Sequence, residues 1–280
     1  MKRILTAILL IFVVVALIFL GQLWMLTLAT CLVAELAAYE YLTLANASGA
    51  RVPAWWMAAA TGILFAFTLP GFHYEAELPV LSALALLLLA WTGFRGTLNR
   101  VLPDAAIGLF GMVYIAYPLT LIPMIWNLDD GKPLLLFLMV CVWAGDIAAL
   151  YVGRRFGRHK LSILSPNKTW EGSIASVAGS VLAGLGVVYA GFLLSNRGNT
   201  VLHILEPVWQ SILLAIIINV AAQLGDLLES AIKRGAGVKD SGTMLPGHGG
   251  ILDRIDALLI AAPVLWCVLL LKDALSLGRF

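Results

Sequence analysis

The stretch Pro133–Val152, PLLLFLMVCVWAGDIAALYV, decides the fold. It carries a single charge, Asp146. As an α-helix, a run of this length spans ~30 Å, the thickness of a bilayer's hydrocarbon core. Similar runs recur on both sides of it. The predicted spans are 4–20, 23–45, 54–70, 78–93, 104–127, 133–152, 172–194, 208–229 and 252–272. Between them lie turn-forming stretches such as Asp129-Asp130-Gly131-Lys132-Pro133 and Ser195-Asn196-Arg197-Gly198-Asn199. The runs lack the two-residue alternation of barrel strands. In a medium without water, only helices and closed barrels satisfy their own backbone. The expectation is therefore an all-α, polytopic membrane protein with about nine transmembrane helices.

Composition excludes the soluble alternatives. Of 280 residues, 61% are hydrophobic and 12% charged, against roughly 45–50% and about 25% in soluble domains. A net charge of +2 gives no electrostatic footprint for nucleic acid. Cys31, Cys141 and Cys267 each sit in an apolar run with no metal-binding spacing, so they read as small buried hydrophobes. The apolar run after Lys2-Arg3 is long for a signal peptide, and another follows almost at once, so 4–20 reads as the first membrane helix. With the N-terminus in the cytoplasm, only Lys132, Arg197, Lys272 and Arg279 fall outside, and the other fourteen of 18 basic residues fall inside. The positive-inside rule selects that orientation. It places the polar segments 153–171 and 230–251 on the cytoplasmic face of the cell membrane. No linker or repeat divides the chain. It reads as one membrane domain over 1–280, with helices of about 1–130 structural and lipid-facing and about 140–260 catalytic.

The chemistry concentrates in Ser230–Asp256, SAIKRGAGVKDSGTMLPGHGGILDRID. Lys233, Arg234 and Lys239 can neutralise phosphate charge. Six glycines and one proline expose backbone amides, which can form a concave anion site. Gly249-Gly250 leads directly into a helix, whose first amides and dipole favour anions. Asp253 and Asp256 stand three apart in its first turn, where acidic residues are also ordinary capping groups. Asp226 and Glu229 repeat that spacing near the end of the preceding span, and an intramembrane carboxylate needs a partner. Clustered carboxylates, basic side chains and a glycine-rich loop together suit Mg²⁺ with a polyphosphate. His248 could contact phosphate, act as an acid or simply shape the loop. In the other polar segment, Arg154, Arg155, Arg158 and Lys160 could be topogenic charges at an anionic leaflet. Lys168, within Ser165-Pro166-Asn167-Lys168-Thr169, is set at a helix start by polar residues. Glu35 and Glu40, five apart in the second span, do not share a face and receive no role.

These residues resemble a known family. Ser230-x-x-Lys233-Arg234, Lys239-Asp240 and Pro246-x-His248-Gly249-Gly250-x-x-Asp253-Arg254-x-Asp256 look like the signature of phosphatidate cytidylyltransferases, with every fixed position filled. Ser165–Gly172 is similar to a second motif of that family, and Asp146 with Gly153-Arg154 to a third. The family commonly has Ala-Tyr soon after that aspartate. Here Leu150 separates Ala149 from Tyr151. The resemblance covers about residues 140–260; the first 130 are similar only as serial apolar spans. It implies Mg²⁺-dependent transfer of CMP from CTP to phosphatidic acid in the bilayer. The products are CDP-diacylglycerol, for phospholipid biosynthesis, and pyrophosphate. It further implies Asp226 and Asp253 as metal ligands, leaving a second cation open, and Asp256, Lys239 and His248 in catalysis. Asp146, Arg154, Ser165, Asn167, Lys168, Lys233, Arg234, Gly249, Gly250 and Arg254 would bind substrate, and the enzyme would be a homodimer.

Three other readings fit parts of this pattern. A CTP-dependent transferase for another lipid phosphate would share these motifs. A CDP-alcohol phosphatidyltransferase would need a carboxylate motif that does not follow Asp130-Gly131. An ion-coupled transporter would use Asp146 and Asp226 as relay sites, but carriers spread polar residues over symmetric halves, whereas these crowd the second half. The orientation is directly testable. A reporter fused after Lys160 should remain cytoplasmic and one fused after Arg197 should be translocated; the reverse pattern would overturn the assigned topology.

Overall fold

The computed structural model describes residues 2–47, 49–72, 76–202, 207–242, 244 and 249–275, with side chains of the first helix from residue 8 onward. The helices are α1 (Lys2–Leu20), α2 (Leu23–Ala47), α3 (Ala54–Ala66), α4 (Glu77–Arg95), α5 (Val101–Gly111), α6 (Tyr117–Trp126), α7 (Gly131–Phe156), α8 (Trp170–Ser195), α9 (Val208–Gly235) and α10 (Leu252–Ala274). Among the described residues there is no β-strand, and Lys160 and Thr169 form an isolated antiparallel bridge. Seven helical segments are long and apolar enough to cross a membrane: α2, α4, the continuous segment Leu98–Trp126, α7, α8, α9 and α10. The architecture is thus the expected all-α, multi-pass one. The other two expected spans are shorter apolar helices, Ile8–Leu20 and Ala54–Ala66. At 13 residues, α3 covers only ~20 Å. It gives way to turns before Pro70, whose ring disfavours a helical preceding residue, and Gly71 then adopts φ +98°.

Leu98–Trp126 holds together across a proline. Pro118 has no N–H for the carbonyl of Tyr114, and its ring crowds that carbonyl. The chain widens into one π turn, Met112–Ala116, immediately before it. The amide of Tyr117 reaches back to Met112, and α6 continues.

Two helices run past the boundaries set by hydropathy. α7 extends through Phe156, so Gly153-Arg154-Arg155 is its last turn rather than loop. α9 extends to Gly235, so Ser230–Arg234 is helical. Apolar character stops where the bilayer stops, but backbone hydrogen bonding continues. The basic residues then sit favourably at helix C-termini. α9 closes with Gly237 at φ +73°, a left-handed value that suits glycine. The amide of Gly237 bonds Arg234 O and that of Val238 bonds Lys233 O, both at 3.0 Å, which is a Schellman closure.

The chain forms two compact units, 1–124 with 232–255, and 125–231 with 256–280. In the first, Tyr41 on α2 donates its hydroxyl to Ile107 O on α5 at 2.9 Å. Gly111 on α5 lies directly against Tyr41 and Met57. Asp104, 4% exposed, accepts the Arg51 amide at 3.1 Å and the Arg100 guanidinium at 3.0 Å. Trp56 is buried in this core, whereas Trp55 is exposed and meets Trp91 edge-on.

The second unit is organised by small residues. Gly179 of α8 abuts Ala144 and Ala148 of α7, and Gly184 abuts Phe137 and Cys141. Such close backbone approach is how helices pack where lipid removes the hydrophobic drive. A polar ladder runs through the contact. Asn219 of α9 donates to Ser176 (2.9 Å) and Ser180 (2.7 Å), and Ser180 donates to Cys141 O (2.5 Å). Gln223 donates to Asn219 Oδ1 at 2.6 Å and exchanges bonds with Ser173. The three cysteines are free, but only Cys141 is fully buried; Cys267 is exposed on α10.

Gly145 of α7 sits against Asn219, Ser176 and Ser180, while Gly186 of α8 faces open space. Gly145→Ala should therefore lower the thermal midpoint in detergent, because overpacking costs about 1–3 kcal/mol. Gly186→Ala should hold or raise it, since alanine gains about 1 kcal/mol over glycine within a helix. Equal effects from the two substitutions would contradict this packing.

Candidate active site

The second unit gathers four charged residues from four places in the chain. Asp146 comes from α7, Lys168 from the segment before α8, Asp226 from α9 and Asp256 from α10, just past its first turn. Lys168 Nζ is ion-paired with Asp226 Oδ2. The charges of Asp146, Asp226 and Lys168 all act on Asp256. Asp256 Oδ1 also accepts the amide of Ala257 at 2.8 Å. Gly225, next to Asp226, lies directly against the α10 backbone at Asp256 and Ala257. A side chain there would force the two helices apart, and with them the two carboxylates.

Lys168 is held by a short hairpin. Ser165 O accepts the Lys168 amide at 3.0 Å, closing a turn with Pro166 at its second position, where the fixed φ is favourable. Ser165 and Asn167, expected to bind substrate, are thus members of the turn that presents Lys168. The hairpin's two arms are joined by the amide of Leu161 to Lys168 O (2.8 Å) and that of Trp170 to His159 O (2.9 Å). Glu171 closes the base. It accepts the amides of Arg158 (3.1 Å) and His159 (3.3 Å) and pairs with His159 Nδ1 at 2.6 Å. Thr169 Oγ1 accepts the amide of Gly172, capping α8. Sequence reasoning gave Glu171 and His159 no role, because nothing local marks a carboxylate that folds back onto amides twelve residues upstream. Arg154 is exposed on the last turn of α7.

The first unit builds a second cluster around the glycine-rich loop. Lys233 Nζ pairs with Asp253 Oδ1 at 2.6 Å. Asp253 Oδ2 also accepts the amides of Ser241 (3.2 Å) and Gly250 (2.8 Å). Glu40 of α2, 3% exposed, accepts the Ser241 hydroxyl at 3.0 Å and the amides of Ile251 (3.0 Å) and Leu252 (2.9 Å). The anion at the N-terminus of α10 is therefore the protein's own. Gly249 takes φ +81° and lies beside the Asp253 carboxylate. Arg234, Lys239 and Arg254 are exposed; Arg234 donates to Val238 O at 3.1 Å. His248 and residues 245–247 lie outside the described residues. Glu40 is the participant that sequence reasoning missed. The one signal for it was a carboxylate in an apolar helix that had to have a partner.

Asp226 and Asp253, expected to ligate one metal, belong to different compact units, and each is paired with its own lysine. Asp253 and Asp256, one turn apart on α10, have different surroundings: a lysine and two amides around the first, two further carboxylates and a lysine around the second. Among the described residues, no three His, Cys, Asp or Glu side chains form a ready-made metal cage. What the second unit supplies is three carboxylates and one lysine, an excess of hard oxygen donors.

Comparison with known proteins places the chain as a whole in one family. The profile described as the cytidylyltransferase family matches residues 1–271. A protein of Synechocystis sp. named phosphatidate cytidylyltransferase is 32% identical to this chain, over 98% of each. Proteins of the same name match at 38% identity in Brucella suis, covering 65% of this chain and 60% of the relative, and at 36% in Staphylococcus haemolyticus, covering 68% of each. With the match spanning the helices as well as both charged clusters, the chain belongs to the cytidylyltransferase family.

Proposed function

We propose that this chain is a phosphatidate cytidylyltransferase, which transfers CMP from CTP to phosphatidic acid and releases pyrophosphate. The observation that carries the reading is the end-to-end match to a relative of that name, in a chain whose motif residues gather into two charged clusters. In the reaction a phosphate oxygen of phosphatidate attacks the α-phosphorus of CTP. The bond from that phosphorus to the bridging oxygen of the β-phosphate breaks, and pyrophosphate leaves with the bonding electrons. Such a transfer depends on positioning and on neutralising charge. The cytoplasmic face would admit CTP, and the bilayer would supply the lipid from the side.

The carboxylates of the second unit fit Mg²⁺. That ion binds through one or two carboxylates, with waters and phosphate oxygens completing its shell, and needs no preformed protein cage. Asp226 would hold it, with Asp256 and Asp146 adding negative charge. Bound there, Mg²⁺ would neutralise phosphate charge and polarise the phosphoryl group. Lys168, already paired with Asp226, would bring a cation to the same phosphates. Its hairpin holds it there, so little ordering is left to be done on binding. Lys233, Arg234, Lys239 and Arg254, with the glycine-rich backbone and His248, would bind the remaining phosphate charge.

Purified protein supplied with labelled CTP, phosphatidate and Mg²⁺ should form lipid-soluble cytidine label and pyrophosphate in equal amounts, and EDTA should stop both. A folded, lipid-replenished protein forming neither product would overturn the substrate reading. Asp226→Asn should lower kcat by ~10²–10³-fold, the scale seen when a transition-state charge contact is lost, with an unchanged elution profile. Wild-type turnover in that variant would remove Asp226 from the metal site. Lys168→Met should raise the KM for CTP or phosphatidate, and unchanged saturation curves for both would count against its phosphate role.

A further inference from the structure

We infer that Glu40, on a helix of the N-terminal half, is the positioning residue that closes the base of the glycine-rich loop; as a role in turnover, this rests on the function proposed above. Glu40 is 3% exposed within α2, a helix long and apolar enough to cross a membrane. A carboxylate in such a place is unfavourable unless donors satisfy it. Its donors all come from a segment two hundred residues downstream: the hydroxyl of Ser241 and the amides of Ile251 and Leu252. Ser241 is the sixth residue of the connection that follows α9, and Ile251 its last. One carboxylate therefore closes the segment from 241 to 251 at its base.

The same contact accounts for two glycines. Any Cβ at Gly242 or Gly250 would overlap the Glu40 carboxyl, and at Gly250 it would also overlap Ser241 Oγ. These positions are glycine because the backbone lies against Glu40, which is a reason independent of phosphate approach. Asp253 grips the loop from its other side, taking the Ser241 and Gly250 amides and pairing with Lys233. Ser241 is thereby held twice, by its hydroxyl to Glu40 and by its amide to Asp253. The two carboxylates divide the work. Asp253 carries the cation, and Glu40 carries only backbone and hydroxyl, which is a holding function without exchangeable charge. It also occupies two of the free amides at the start of α10, so phosphate recognition falls to the side chains and to the loop amides beyond.

Glu40→Gln tests this with little change of shape. The new NH₂ group would face an amide or a hydroxyl that also donates, so at least one bond is lost. Amide hydrogen exchange at residues 241 and 250–252 should speed up by about tenfold or more, the scale of one lost buried hydrogen bond. Exchange in α3 and α4 should stay at the wild-type rate. With CTP and phosphatidate, kcat/KM should fall by about the same factor, mostly through the KM for CTP. Unchanged exchange at the loop base would overturn the inference. So would faster exchange spread evenly through α2, α3 and α4, which marks a general packing role, or a loosened loop base with wild-type kcat/KM. If Glu40→Gln fails to fold, Ser241→Ala removes one of the three bonds, and the same local change, smaller, is required. If wild-type protein does not turn over these substrates while Glu40→Gln still loosens only the loop base, the clamp stands and the substrate reading falls.

Discussion

No water is available in the bilayer interior, so every polar group placed there must find its partner within the chain. That constraint organises most of what is described above. It makes the spans helical, it joins Asn219, Gln223 and three serines into a ladder, and it gives Glu40 three donors. Each such bond in a membrane protein contributes modestly, about 0.6 kcal/mol on average. Leaving one of the groups unsatisfied would cost several times that. The polar residues therefore specify one arrangement of helices more than they stabilise it, because alternative arrangements would strand them.

Glycine is the complement of that constraint. Hydrogen bonds between helices are short, so backbones must come close, and they do so where a side chain is missing. Gly145 makes room for the Asn219–serine ladder, Gly225 lets α9 meet α10 beside Asp226 and Asp256, and Gly242 and Gly250 lie on the Glu40 carboxyl. In each case the glycine stands next to a polar contact that a Cβ would break. The candidate site residues are thus supported by neighbours with no reactivity of their own. The hairpin of Lys168 has the same character: Glu171, His159 and a proline turn hold a flexible side chain in one place.

Carboxylates serve in two distinct ways in this chain. Asp146, Asp226 and Asp256 act on one another with one lysine among them, so carboxylate oxygens remain for a cation from outside. Glu40, Asp104, Glu171 and Asp253 accept backbone amides and spend their charge inside the fold. The first kind has reason to draw a cation; the second has reason to keep a loop or turn in shape. Asp253 and Asp256 have features of both: a lysine shares the first with two amides, and the second accepts the amide of Ala257.

The sequence by itself determined the membrane architecture, because hydropathy is a local property and a helix is the one local solution to a backbone without water. It also singled out the candidate site residues, since the spacing from Ser230 to Asp256 is contained in a single stretch. Boundaries were less legible: α7 and α9 outrun their apolar runs because hydrogen bonding does not end with hydrophobicity. Only the tertiary structure decided who partners whom. That Lys168 takes Asp226, that Lys233 takes Asp253 and that Glu40 reaches Ser241 and Leu252 depends on contacts between residues 20 to more than 200 positions apart. Helix packing brings such residues together, and no local pattern encodes where a chain's distant segments meet.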